Sequence, residues 1–399
     1  MRGLVARRHV DGECGELRAT KSLRTPGRQK LWRGSLLLLS LLLVLATSVC
    51  HWFRPQPLSE SERRELAGRF KDLIASTGGS QVWIKRPASS HHEQRPDTSL
   101  HVLATSSAYR AVLAALEHES AQEELELREA EGNGGGGLHA IDLNVTRRGQ
   151  RICRIHLREV PRLLRAAIVI DDLGQDLEAA RKLLTLPYPL TFSVLPHLRY
   201  SQSTAEEVHR AGREVMLHLP MEAEPGAHPL PGEGTIRTGM SNAEVHGVVQ
   251  NDLASVPFAA GVNNHMGSLA TRNRPLMADV MKVLAERQLY FIDSRTTANT
   301  VALEAARRQG LPAFYRAVFL DDTETLPYTL GQLREFRRFV EERGAGLAIG
   351  HPHATTLEAL VRFLPELEQA DIELVEASEL VRLPEVARLH PATKPGSSR

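Results

Sequence analysis

Residues 166–174 read Ala-Ala-Ile-Val-Ile-Asp-Asp-Leu-Gly, five apolar side chains followed by two adjacent carboxylates and a turn signal. A short apolar run closed by such a signal reads as a buried strand. Runs of the same kind recur at 190–195, 214–219, 259–263, 289–292, 314–320, 346–349 and 372–375. Amphipathic stretches lie between them, at 176–186, 205–211, 242–253, 275–287, 301–308, 330–343 and 357–369. Strands alternating with helices are parallel, so residues 163–385 predict an α/β barrel or a doubly wound sheet. Their span of roughly 220 residues fits the size of a barrel.

In parallel α/β folds the loops after the strands build the active site. The polar residues just past these runs form a consistent set: Asp171-Asp172, His218, Asn263-Asn264-His265, Asp293-Ser294, Asp321-Asp322, and His351 with His353. Taken singly, each has an ordinary role as a turn former, helix cap or core histidine. Jointly they place carboxylates and imidazoles around one rim. His351 and His353, two apart, share a face if extended geometry persists there. A carboxylate with two imidazoles is ligand chemistry for a divalent cation such as zinc. A second carboxylate can take a proton from water, and a further imidazole can protonate a leaving group.

The chain has 399 residues, 42% hydrophobic and 24% charged, which excludes a disordered or disulfide-dense protein. Residues 1–34 carry nine basic and three acidic side chains, leaving the remainder at −5. That acidic body argues against a nucleic-acid partner. Residues 34–53 contain no charged residue and are dominated by Leu. As a helix they span roughly 30 Å, the thickness of a hydrocarbon core. With the basic leader 1–33 held inside, 34–53 predicts an uncleaved anchor in the inner membrane, with a cleaved signal peptide as the rival reading. Everything after the tether 54–60 is then exported, into a bacterial periplasm. Residues 61–160 predict a small α+β module: a helix at 61–75, strands at 81–85 and 100–105, and an amphipathic helix. After these come a solvated acidic helix face over 117–131, a glycine loop at 132–137, and a hairpin at 138–145 and 151–160. Residues 386–399 read as a loose tail.

Five motifs occur in order: Ile170-Asp-Asp-Leu-Gly174, Leu217-His-Leu-Pro-Met-Glu222, Asn263-Asn-His-Met-Gly-Ser268, Phe291-Ile-Asp-Ser-Arg295 and Ile349-Gly-His-Pro-His353. Together they resemble the divergent polysaccharide deacetylase family, distant relatives of metal-dependent deacetylases acting on chitin oligomers and peptidoglycan. The resemblance covers 163–385. It implies a distorted (β/α) barrel and removal of N-acetyl groups from amino-sugar glycans. Carried over by motif, it implies Asp171 as base, Asp172 and His218 as metal ligands, and His351 as proton donor. The well-studied enzymes place a second ligand histidine four residues after the first, where this chain has Glu222. In place of their Arg-Pro motif it has Asn-Asn-His. His265 is therefore expected to supply the missing imidazole, with Glu222 as a fourth ligand or a group holding His218. His353 is the alternative donor, and Asp293 the carboxylate orienting the donor imidazole.

Two other readings compete. One is an envelope protein that keeps the fold and binds glycan or metal without turnover. The other is a metal-dependent esterase or phosphatase, which the rim disfavours because Arg295 and Arg316 are its only obvious phosphate-binding cations. No Gly-x-Ser-x-Gly elbow or His-Glu-x-x-His motif is present.

Overall fold

A computed structural model describes residues 58–85, 99–123, 125–130, 138–227, 230–384 and 386–389. The leader, the anchor 34–53, the glycine run 132–137 and residues 390–399 lie outside the described residues. Among the described residues no helix is long and apolar enough to cross a membrane.

The first part is helix α1 (Glu60–Gly78), strands β1 (Val82–Lys85) and β2 (Ser99–Thr105), helix α2 (Ser106–Gln122), then β3 (Glu126–Ala130), β4 (Ala140–Arg147) and β5 (Gln150–Val160). The strands form one sheet in the order β1-β2-β5-β4-β3. Ser59 starts α1 with a reciprocal capping box to Glu62, so the helix begins within the expected tether. The acidic stretch differs from expectation. The helix stops at Gln122, and Glu126–Ala130 is an edge strand antiparallel to β4. Cross-strand pairing there outweighs the helical tendency of its Glu and Ala residues.

The second part follows directly: β6 (Leu164–Leu173), α3 (Leu177–Leu184), β7 (Thr191–Val194), α4 (Ser201–Arg210), β8 (Glu214–Met221), α5 (Asn242–Ser255), β9 (Ala259–Met266), α6 (Arg274–Glu286), β10 (Tyr290–Asp293), α7 (Ala302–Arg308), β11 (Ala313–Tyr315), β12 (Val318–Phe319), α8 (Leu326–Arg343), β13 (Ala345–Gly350), α9 (Ala354–Gln369), β14 (Ile372–Leu374) and α10 (Ala377–Arg382). Every strand pair is parallel. The order β11-β10-β9-β8-β7-β6-β13-β12, with β14 added to β6, makes a curled half-barrel. The predicted strand 314–320 is divided at Arg316-Ala317. Arg316 N–H donates to Asp293 O at 2.9 Å, on β10, and Ala317 N–H donates to Leu347 O at 2.8 Å, on β13. One stretch of chain thus touches both edges of the sheet and draws its ends together, which accounts for the distortion.

Residues 166–170 are fully buried, as expected for a parallel strand covered on both faces. At the amino ends of the strands, buried Glu214 accepts from Thr191 Oγ1 at 2.9 Å and Tyr290 Oη at 2.7 Å. Gly261 allows this arrangement, since a Cβ there would lie 2.3 Å from the Tyr290 ring. The two sheets are fastened by ion pairs from Lys85 and Arg158 to Asp371, by Arg165 Nε to Glu373 at 2.9 Å, and by packing of Trp83, Leu103 and Leu163.

Candidate active site

The carboxyl ends of the strands open into a cavity of about 1330 Å³. Three residues other than glycine adopt left-handed backbone there: Asp172 (φ 58°), Met266 (φ 53°) and Arg295 (φ 50°), at or just past the ends of β6, β9 and β10. Such conformations are costly for L-residues and mark places where surrounding structure holds the chain. At Asp172 the reason is visible. Adjacent residues on a regular strand face opposite ways, but the β6–β7 register slips between Ile170 and Leu173. The bulge and the reversed φ let both Asp171 and Asp172 face the cavity.

Asp172 Oδ1 lies 3.1 Å from His218 Nε2 and 3.1 Å from His265 Nδ1, and the two imidazole nitrogens are 3.1 Å apart. At a metal–ligand distance of about 2.1 Å, neighbouring ligands of one ion stand roughly 3.0–3.4 Å apart, so the triangle fits a single divalent cation. Asp172 Oδ1 is buried and faces both imidazole nitrogens, which also fits a ligand atom. Burial alone would raise the Asp172 pKa. Hydrogen bonding and positive charge from His218 and His265 outweigh burial and hold it well below the usual carboxylate range.

Asn263 orients this set. It pairs in register with His218 across β8–β9. Its Oδ1 accepts from His218 Nδ1 at 2.8 Å and from Ser193 Oγ at 2.7 Å, while its Nδ2 donates to Asp171 Oδ1 at 2.8 Å. An amide oxygen at Nδ1 fixes the tautomer that leaves Nε2 free to ligate. Asp171 is buried, with Oδ2 3.6 Å from His218 Nε2.

Across the cavity, His351 Nε2 is 3.8 Å from Asp172 Oδ2. Its Nδ1 lies 2.9 Å from Asp321 Oδ1, and Asp321 Oδ2 also accepts from His351 N–H and Thr356 Oγ1, each at 2.6 Å. Burial lowers the His351 pKa, but the Asp321 hydrogen bond and the charges of Asp171, Asp321 and Asp172 prevail and raise it to about 9. Without a cation on Asp172, these groups favour the protonated imidazole.

Three expected residues stand elsewhere. Glu222 is apart from the triangle. Its Oε2 accepts from Thr238 N–H at 2.7 Å and Thr238 Oγ1 at 2.5 Å, because β8 ends at Met221 and the chain turns away. Asp293 does not touch His351. It accepts from Arg295 N–H at 2.9 Å and Thr300 Oγ1 at 3.0 Å, and so holds the loop after β10. The carboxylate that orients His351 is Asp321. His353 opens α9 with Nε2 3.3 Å from Glu324, its ring centroid 5.7 Å from that of His351.

Residues 168–381 match the family model of the divergent polysaccharide deacetylases. The chain belongs to that family. It is 38% identical over 220 residues to the uncharacterized protein YibQ of Escherichia coli K12, a match covering 55% of this chain and 68% of that one. An uncharacterized protein of Haemophilus influenzae is 35% identical over 219 residues, covering 54% of this chain and 76% of the relative. Among solved structures, uncharacterized protein ATU2773 of Agrobacterium tumefaciens C58 superimposes with a TM-score of 0.53 at 23% identity. That superposition covers 55% of this chain and 89% of that one, and establishes likeness of fold.

Proposed function

We propose that this member of the divergent polysaccharide deacetylases is a cation-dependent hydrolase that removes N-acetyl groups from amino-sugar polymers of the cell envelope. In this reading residues 34–53 anchor it in the inner membrane and the half-barrel works in the periplasm. The observation that carries the proposal is the Asp172–His218–His265 triangle, with the Asp171 carboxylate beside it and the Asp321-bonded His351 imidazole facing it.

Asp172, His218 and His265 would hold the cation, which we assign as zinc. When bound, it polarises the amide carbonyl and lowers the pKa of water. Asn263 pins one oxygen of Asp171, so the other is positioned to take the proton of an attacking water. His351 gives its proton to the departing nitrogen, and Asp321 stabilises the imidazole in the required orientation. The amide C–N bond breaks, a C–O bond forms, and the products are acetate and a free amine.

Incubation of the purified, zinc-supplied protein with N-acetylated oligosaccharides tests this. Acetate release abolished by a chelator and restored by zinc is expected. Glycan binding with no acetate under any of these conditions would replace the proposal with a binding protein that turns nothing over.

A further inference from the structure

The cavity extends beyond the triangle toward the loop after β10, where two guanidinium groups meet. Arg316 Nε donates to Ser294 O at 2.6 Å and Nη2 to Arg295 O at 2.9 Å. Its third nitrogen, and the whole Arg295 guanidinium, have no hydrogen-bond partner among the described residues. Arg295 only rests over the Tyr315 ring, Cζ 5.7 Å from its centroid. Neither arginine forms an ion pair among the described residues, although both line the cavity. Burial and then the Arg295 charge disfavour the Arg316 cation, against the opposing pull of Asp171, Asp293 and Asp322.

Two partly buried guanidinium groups that line a cavity without a carboxylate partner constitute a prepared anion site. Its backbone is fixed in advance. Asp293 accepts the Arg295 N–H and Arg316 grips the Arg295 carbonyl, so the left-handed Arg295 is clamped on both sides and its side chain is directed by structure already in place.

We infer that Arg295 and Arg316 form a subsite for a carboxylate on the glycan, so that the preferred substrate is an acidic N-acetylated amino-sugar polymer. The inference rests on reading the cavity as a glycan site. A singly charged group suits the position better than a phosphate, because Asp171, Asp172 and Asp322 line the same cavity and repel a dianion more strongly.

The test compares an N-acetylated amino-sugar oligosaccharide bearing a carboxylate with its carboxamide and phosphate-bearing counterparts, binding being followed by calorimetry. Wild type should bind the carboxylate about 10- to 100-fold more tightly than the carboxamide, and more tightly than the phosphate. Arg295→Gln should erase the preference by weakening only the acidic ligand, and Arg295→Lys should recover part of it. Equal binding of carboxylate and carboxamide by wild type would overturn the subsite, as would a preference persisting in both Arg295→Gln and Arg316→Gln. Tighter phosphate binding would overturn the choice of carboxylate. Acetate assays on the same ligands keep the two claims apart: selective binding without acetate release contradicts the hydrolase and leaves the subsite standing.

Discussion

Asn263 Oδ1 lies 2.8 Å from His218 Nδ1, and the same amide donates to Asp171 at 2.8 Å. One neutral side chain thus sets the tautomer of a candidate ligand and the orientation of the candidate base. Asn263→Leu, of similar size but unable to make either bond, should weaken zinc binding about 10- to 100-fold while the protein stays folded. Zinc titration with a competing chelator measures this. Unchanged affinity would remove Asn263 from the site.

Asp171 and Asp172 should separate cleanly by substitution. Asp171→Asn retains an oxygen for Asn263 and should keep bound zinc while losing about 10²–10⁴-fold in turnover. Asp172→Ala should lose the metal. Elemental analysis alongside acetate release reads both, and a rate unchanged in Asp171→Asn would reject the assigned base.

Glu222→Gln should leave zinc stoichiometry intact, because its carboxylate serves Thr238, 16 residues further on. His265→Ala should abolish it. The reverse pattern would restore the ligand role that the family resemblance gave to Glu222.

His351 should titrate in the zinc-free protein near pH 9, by histidine NMR, and Asp321→Asn should bring that value down. The folded pKa exceeds the ordinary 6.5, so the stability from this imidazole is fully present below about pH 6.5 and is lost as pH rises through 9. The Asp321 pKa is shifted the other way. Burial would raise it, but bonding to His351 prevails and lowers it. Its contribution is present above its ordinary value of 3.8 and lost as pH falls through the lowered one. A His351 value unmoved by Asp321→Asn would dissociate the pair.

Gly261→Ala should destabilise the half-barrel by about 1–3 kcal/mol. The added methyl meets a Tyr290 ring that its hydrogen bond to Glu214 keeps from retreating. Thermal unfolding checks this, and an unchanged midpoint would show that the ring can move.

Much of this architecture is written locally in the chain. The parallel strands are legible because burial on both faces makes them continuous apolar runs, and the candidate site residues follow because strand ends are where such folds expose polar groups. What was not legible depends on register and backbone. Nothing in an Asp-Asp pair tells that a bulge against β7 and a reversed φ at Asp172 face both carboxylates inward. Asn263 and Asp321 look like turn and cap residues. Their roles come from neighbours far away in sequence, His218 opposite Asn263 in register, and His351 beside Asp321 where β12 and β13 end in step. The family resemblance put Glu222 at the cation, but four residues past His218 the chain has already left its strand and the carboxylate serves Thr238. Asp293 was given an imidazole to orient when its carboxylate holds the Arg295 backbone instead.

The proposed chemistry requires one cation shared by three side chains from β6, β8 and β9. Crystals grown with zinc, measured on both sides of the zinc absorption edge, locate that ion directly. The prediction is a single anomalous peak within about 2.0–2.2 Å of Asp172 Oδ1, His218 Nε2 and His265 Nδ1. A peak lodged instead among Asp321, His351 and His353, or none at saturating zinc, would contradict it.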